Sequence, residues 1–282
     1  MARRTDFNGA TQAIAATTAQ TLTWTNTQIP SDRVVAYHVT LQGTDNDFTA
    51  LDRIRVFANG SPIVNISPEQ LKAYWQSFAV GSAIKYADAA RVLTIPFCLL
   101  DAPQPELQDV SQFPDRSSVQ IQLVFNATTS AGQAWIGWTQ TDIAPVVFPR
   151  LLGSTMNIPA SASNSRFNFQ ENGVVRGLWL PNAGISRARL VLGNEQWSLA
   201  SGVQYQGLAT AGDMFYEMES LYGNGVASSG TPLLTSAFHR LTGRVAAPVN
   251  GSFVELDTGA GWAGVANEIC TYAIAENGPG QG

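Results

Sequence analysis

Arg53-Ile54-Arg55-Val56-Phe57, followed by Ala58-Asn59-Gly60, recurs 134 residues later as Arg187-Ala188-Arg189-Leu190-Val191, followed by Leu192-Gly193-Asn194. Both stretches alternate charged and apolar side chains with a period of two, as a strand with one buried face does. Both end on a Gly and an Asn suited to a tight hairpin. Four further matches run in the same order. Val34-Val35 and Val174-Val175 lie 140 apart, Val92 to Phe97 and Leu233 to Phe238 lie 141 apart, Val119 to Gln122 and Val254 to Asp257 lie 135 apart, and Trp138 and Tyr272 lie 134 apart. One alternating strand resembles another by chance, but five matches in one order at similar spacing point to an internal duplication.

Two halves follow, residues 6–141 and 154–275. The connecting segment 142–153 carries Pro145 and Pro149, which favour an extended linker, and 276–282 reads as a flexible tail. In the first half Leu22 to Thr25, Val34 to Leu41, Arg53 to Ala58 and Ile63 to Ile66 read as strands. Ser67-Pro68-Glu69-Gln70 is then a capping box with Pro at the first helical position, and Leu71, Tyr74, Trp75 and Phe78 fall on one helical face as a core stripe. Strands resume at Arg91 to Leu99, Val119 to Phe125 and Ala134 to Gln140.

In the second half Thr210 and Asp213 open a candidate helix with Met214, Phe215, Met218, Leu221 and Tyr222 on its apolar face. Leu233 to Leu241, Ser252 to Asp257 and Asn267 to Ala275 follow as strands. About eight short strands per half with one flanking helix predict an all-β chain of two tandem jelly-roll β-sandwiches, a double-sheet solution to exposed strand edges.

Composition agrees with many short strands. The chain is 45% hydrophobic and only 13% charged, with a net charge of −5, the wrong sign for gripping phosphates, so direct sequence-specific nucleic-acid binding is not expected. The one basic cluster, Arg3 and Arg4, reads as solvated charge. Cys98 and Cys270 sit in apolar runs and read as small buried hydrophobes, not as a disulfide. With no secretory signal and no apolar stretch of membrane-spanning length, a soluble protein made in the cytosol is expected.

No constellation for catalysis emerges, and no cofactor or metal is expected. His38 and His239 lie in strand-like runs with no ligand spacing and read as structural. Gly207 to Gly212 lacks the Lys of a phosphate cradle, and no nucleophile elbow follows a strand. Glu217 and Glu219, two apart on the candidate helix, point in different directions and make a poor carboxylate pair. Asp45, Asn46 and Asp47 offer oxygens to a Ca²⁺ but lack the rest of an EF-hand loop, and read as a solvated turn. Asn65, Asn126 and Asn250 fit the glycosylation pattern by chance and read as turn residues.

The duplicated strand order, the R-x-R strand with its Asn/Gly turn, the helices at Pro68 to Phe78 and about Ala211 to Tyr222, and the central linker resemble the small double jelly-roll major capsid proteins of corticovirus-type, membrane-containing tailless phages. The resemblance runs from about Phe7 to Ala275. It implies a homotrimer whose two rolls per chain give a pseudo-hexameric tile, contacts with neighbouring capsomers and with penton or minor capsid proteins, an internal viral membrane, and assembly in the host cytoplasm into an icosahedral virion. It also implies no enzymatic role. Two rival classes share the architecture: a carbohydrate-binding or carbohydrate-cleaving double β-sandwich, whose cue would be exposed aromatics among Trp24, Trp135, Trp138, Trp179, Trp197 and Trp262, and a viral spike.

Overall fold

From Val119 to Phe125 every second side chain is buried, and from Phe253 to Thr258 the alternation runs the same way. The computed structural model describes residues 2–44, 46, 48–78, 92–99, 102, 104–114, 117–155, 159, 161–169, 174–179, 185–192, 195–200, 238–240, 252–258 and 268–275. They belong to two compact units, one formed by Met1–Leu152 with Ala275–Gly282, the other by Gly153–Ile274.

The first unit contains β1 (Arg3–Asp6), β2 (Gln12–Ile14), β3 (Gln20–Thr25), β4 (Val34–Gln42), β5 (Leu51–Ala58), β6 (Ser61–Ile66), helix α1 (Pro68–Phe78), β7 (Val92–Pro96), the short helix α2 (Pro105–Gln108), β8 (Val119–Phe125) and β9 (Gly132–Thr141). In one sheet β1 and β2 share one side of β9, and β4 and β7 follow on the other. In the second sheet the order is β6, β5, β8, β3. With β1 and β2 taken as one broken strand, the first strand pairs with the last, β3 with β8, β4 with β7 and β5 with β6, all antiparallel. This nested pairing of one long rolled hairpin is a jelly roll.

Its core holds an aromatic cluster. Tyr37, Phe97 and Phe113 meet edge-on with ring centroids 5.6, 5.7 and 5.5 Å apart, and all three are buried. Tyr37 keeps its hydroxyl satisfied by donating to the Pro30 carbonyl at 2.7 Å.

The second unit contains β11 (Ser165–Asn168), β12 (Val174–Trp179), β13 (Ile185–Leu192), β14 (Glu195–Ala200), β15 (Phe238–Arg240), β16 (Phe253–Thr258) and β17 (Glu268–Ala275). One sheet runs β11, β16, β13, β14, and β12 pairs with both β15 and β17. Each ladder has a counterpart in the first unit, with β11·β16 standing as β3·β8, β13·β16 as β5·β8, β13·β14 as β5·β6, β12·β15 as β4·β7 and β12·β17 as β4·β9. The chain is all-β, with two jelly rolls in tandem.

The registers of the ladders correspond as well. The ladder of β5 on β8 breaks register between Leu51 and Arg53, and that of β13 on β16 breaks between Ile185 and Arg187, 134 residues on. Tyr37 faces Trp138, and Gly177 faces Tyr272, positions 140 and 134 further along.

Two sequence alignments need correction. Arg55 faces Gln122 and Arg189 faces Glu255, so β16 matches β8 with a spacing of 133, not 135. Tyr37 faces Ile95 and Gly177 faces Arg240, which sets that match at 145, not 141. Both errors are even numbers, which an alternating pattern tolerates because every side chain stays on its face.

The linker is also corrected. Phe148–Thr155 forms strand β10, and Leu151 and Leu152 pair in parallel with Val64 and Asn65 of β6. Just before it, the Val146 and Val147 amides donate to the Val110 carbonyl at 2.8 and 3.2 Å. The extended conformation set by the prolines is used for pairing. The candidate second helix, residues 233–237 and the tail 276–282 lie outside the described residues.

Candidate functional site

The repeated arginines sit on interior strands, β5 between β6 and β8 and β13 between β16 and β14. In β5, Ile54 and Val56 point into the core while Arg53 and Arg55 are half-buried on the opposite face, as alternation requires. Arg53 donates from Nε to Asn65 Oδ1 at 2.9 Å on the neighbouring β6. Asn65 therefore belongs to a strand and not to a turn. Arg189 forms an ion pair with Glu255 across β13 and β16. Arg187 stands opposite Ala200 and Asp257 on its two neighbours, and its side chain lies outside the described residues.

Helix α1 begins as the sequence predicts. The Ser67 amide donates to Gln70 Oε1 at 2.9 Å and the Gln70 amide to Ser67 Oγ at 3.2 Å, a reciprocal capping box. Leu71, Tyr74 and Trp75 are buried, and the Trp75 indole donates to the Thr94 carbonyl on β7 at 2.8 Å. The Phe78 side chain lies outside the described residues.

His38 ties three strands together. Its Nδ1 lies 3.0 Å from Thr94 Oγ1 on β7 and its Nε2 2.8 Å from Thr139 Oγ1 on β9, with the Phe7 ring 5.8 Å away. A Cβ at Gly137 would come within 2.6 Å of that ring, so the glycine makes room for Phe7. Burial lowers the His38 pKa to about 4, which keeps the imidazole neutral at pH 7, donating from one nitrogen and accepting at the other. His239 faces Leu178 on β12, its side chain outside the described residues.

Asn46 is fully buried and clamps two loops. Its Nδ2 donates to the Gln42 and Ser130 carbonyls at 2.8 and 2.9 Å, and its Oδ1 accepts from the Ser130 amide at 3.0 Å. That oxygen is thus engaged by the protein backbone. Asp45, Asp47, Glu217, Glu219 and Asn250 lie outside the described residues. Asn126 does sit in a turn, its Oδ1 accepting from the Thr128 amide at 2.9 Å. Among the described residues no cluster of His, Cys, Asp or Glu could hold a metal ion, and no helix is long and apolar enough to cross a membrane. Cys98 and Cys270 are buried and not joined in a disulfide, and burial pushes the Cys98 thiol up to about 11.

The basic N-terminus is where sequence reading missed most. Arg3 is more than solvated charge, although its side chain is 41% exposed. It ion-pairs with Asp109, whose side chain is 0% exposed and also accepts from Thr141 Oγ1 at 2.9 Å. The hydrogen bond that Arg3 donates to Asp109 outweighs burial and raises the Arg3 pKa further. Gln112, also buried, donates from Nε2 to the carbonyls of Asp109 and Ile143 at 2.7 and 2.6 Å. Arg4, more exposed still, pairs with Asp6 at 3.3 Å. No local motif marks Asp109, because its partner Arg3 is 106 residues away.

Of the tryptophans whose exposure would cue carbohydrate recognition, Trp135 and Trp138 are half-buried, the side chains of Trp197 and Trp262 lie outside the described residues, and the other two face inward. Trp24 is 0% exposed and donates to the Ala10 carbonyl at 2.7 Å, and Trp179 is buried too. Neither offers a ring face to a sugar.

No family model matches the chain, and no curated protein matches it in sequence. Solved structures do match. The major capsid protein P2 from Bacteriophage PM2 aligns over 100% of both chains with a TM-score of 0.65 at 12% identity. The STIV MCP aligns over 97% of this chain and 96% of its own with a TM-score of 0.56 at 12% identity. A chain from the atomic structure of Sulfolobus Turreted Icosahedral Virus covers 96% and 90% with a TM-score of 0.55 at 11% identity. The likeness is one of fold: this chain has the double jelly-roll fold of those viral capsid proteins.

Proposed function

We propose that this chain is a structural major capsid protein that forms homotrimers and tiles an icosahedral virion, with no enzymatic role. The observation that carries this reading is the end-to-end match, over the whole of both chains, between its two jelly rolls and the PM2 coat protein. Three chains of two rolls give six similar lobes, so a threefold object fits a six-coordinated lattice position. In this reading trimer contacts bury on the order of 2,000 Å² or more each, as obligate interfaces do. Lateral contacts to neighbouring capsomers and to penton or minor capsid proteins are smaller and more polar.

The charge balance supports a shell around an internal membrane more than one that grips its genome directly. The net charge is −5, and Arg3 and Arg4 are each paired within the protein. Like-charged capsomers repel, so salt or a divalent cation favours their lateral association by screening or bridging. Sedimentation across a salt and Ca²⁺ series tests this. The proposal expects larger assemblies as ionic strength rises, and a profile unchanged under every condition would argue against it.

A further inference from the structure

Among the described residues, strand β3 is the outermost strand of its sheet in the first unit, beyond β8. An edge strand turns alternate N–H and C=O groups away from its neighbour and offers them to any other strand. In β3 those groups belong to Thr21, Thr23 and Thr25. The sequence Gln20-Thr21-Leu22-Thr23-Trp24-Thr25 has no charge and no proline, the usual guards of an edge, and is rich in β-forming residues.

Side-chain amides occupy this edge instead. Gln12 lies on β2, whose backbone pairs with β9 in the other sheet. Its amide reaches β3, accepts from the Thr23 N–H at 3.3 Å and donates to the Thr23 carbonyl, reproducing the two bonds of a ladder partner. The Gln28 side chain accepts from the Thr25 N–H at 3.1 Å, while the Gln28 and Ile29 amides donate to the Thr25 carbonyl at 2.8 and 3.1 Å. In the reverse direction the Gln20 side chain bonds both the N–H and the C=O of Ala15, at 3.3 and 3.1 Å, stitching the loop after β2 to the start of β3.

We propose that the β3 edge is a strand-pairing surface held shut by glutamine amides, and that the partner it refuses is β3 of a second copy of this chain. Two such strands are self-complementary when antiparallel about Thr23, with their threonines aligned and their backbone groups matched. Blocking them directs contact between copies away from edge-to-edge pairing. This inference stands apart from the coat-protein reading.

Amide hydrogen exchange and sedimentation of the full chain test it together. In Gln12→Ala the Thr23 amide should exchange about tenfold faster, with Thr25 unchanged, and in Gln28→Ala the converse should hold. The double variant should form larger species than the unaltered chain at equal concentration, and adding Thr23→Pro, which removes the outward N–H, should reverse this. If the double variant sediments as the unaltered chain does, or if its association survives Thr23→Pro, the proposal fails. Gln28→Ala alone, altered only in an exposed turn, carries the exchange test should the double variant not fold.

Discussion

Arg189 on β13 stands directly opposite Glu255 on β16 and forms an ion pair with it, while at the corresponding place in the first unit Arg55 on β5 stands opposite Gln122 on β8. One ladder thus holds a charged pair where its counterpart holds a cation opposite an amide.

Gln122→Glu should supply the missing carboxylate. A partly exposed cross-strand ion pair contributes about 1 kcal/mol, so the variant should melt slightly higher at low salt, and the gain should shrink as salt is added. Glu255→Gln should show the opposite, salt-sensitive loss. Melting temperatures that do not respond to salt in either variant would count against the pairing.

Trp75→Ala should cost about 3–5 kcal/mol, because the ring is buried and its indole N–H is used on Thr94. Denaturant unfolding measures this directly. An unchanged midpoint would mean that the stripe on α1 is not core.

Removing Arg3 strands a buried carboxylate. Arg3→Ala should cost about 2–3 kcal/mol, discounted because the arginine itself is partly exposed, and Asp109→Asn in the same background should recover part of the loss. A double-mutant cycle in thermal unfolding would show the coupling, and strictly additive losses would contradict it.

His38 predicts a pH dependence. Its folded-state pKa of about 4 lies below the ordinary 6.5, so the unfolded chain takes up the proton first. The contribution, up to about 3 kcal/mol, is complete above pH 6.5 and is lost as pH falls toward 4. Unfolding across that range should show a shallower slope in His38→Gln than in the unaltered chain. Identical slopes would refute the assignment.

Period and punctuation made much of the fold legible. Val119–Phe125 alternates so cleanly that its bounds could be read directly, and the Ser67/Gln70 box marked where α1 starts. Spacing between the halves was legible only up to an even shift, since a slip of two or four residues leaves each side chain on its face. β1, with the sequence Arg-Arg-Thr-Asp, has no apolar residue to announce it and exists because β9 offers a ladder. Arg3 and Asp109 illustrate the same limit, being two polar residues that only the closed fold brings together. The linker hid a strand because extended backbone and paired backbone look alike in sequence.

Electron microscopy of the purified, negatively stained chain tests the coat-protein reading most directly. That reading predicts threefold particles with a nearly hexagonal six-lobed outline. A stable monomer at micromolar concentration, in every salt and Ca²⁺ condition, would contradict it, most decisively if that monomer bound or cleaved a glycan.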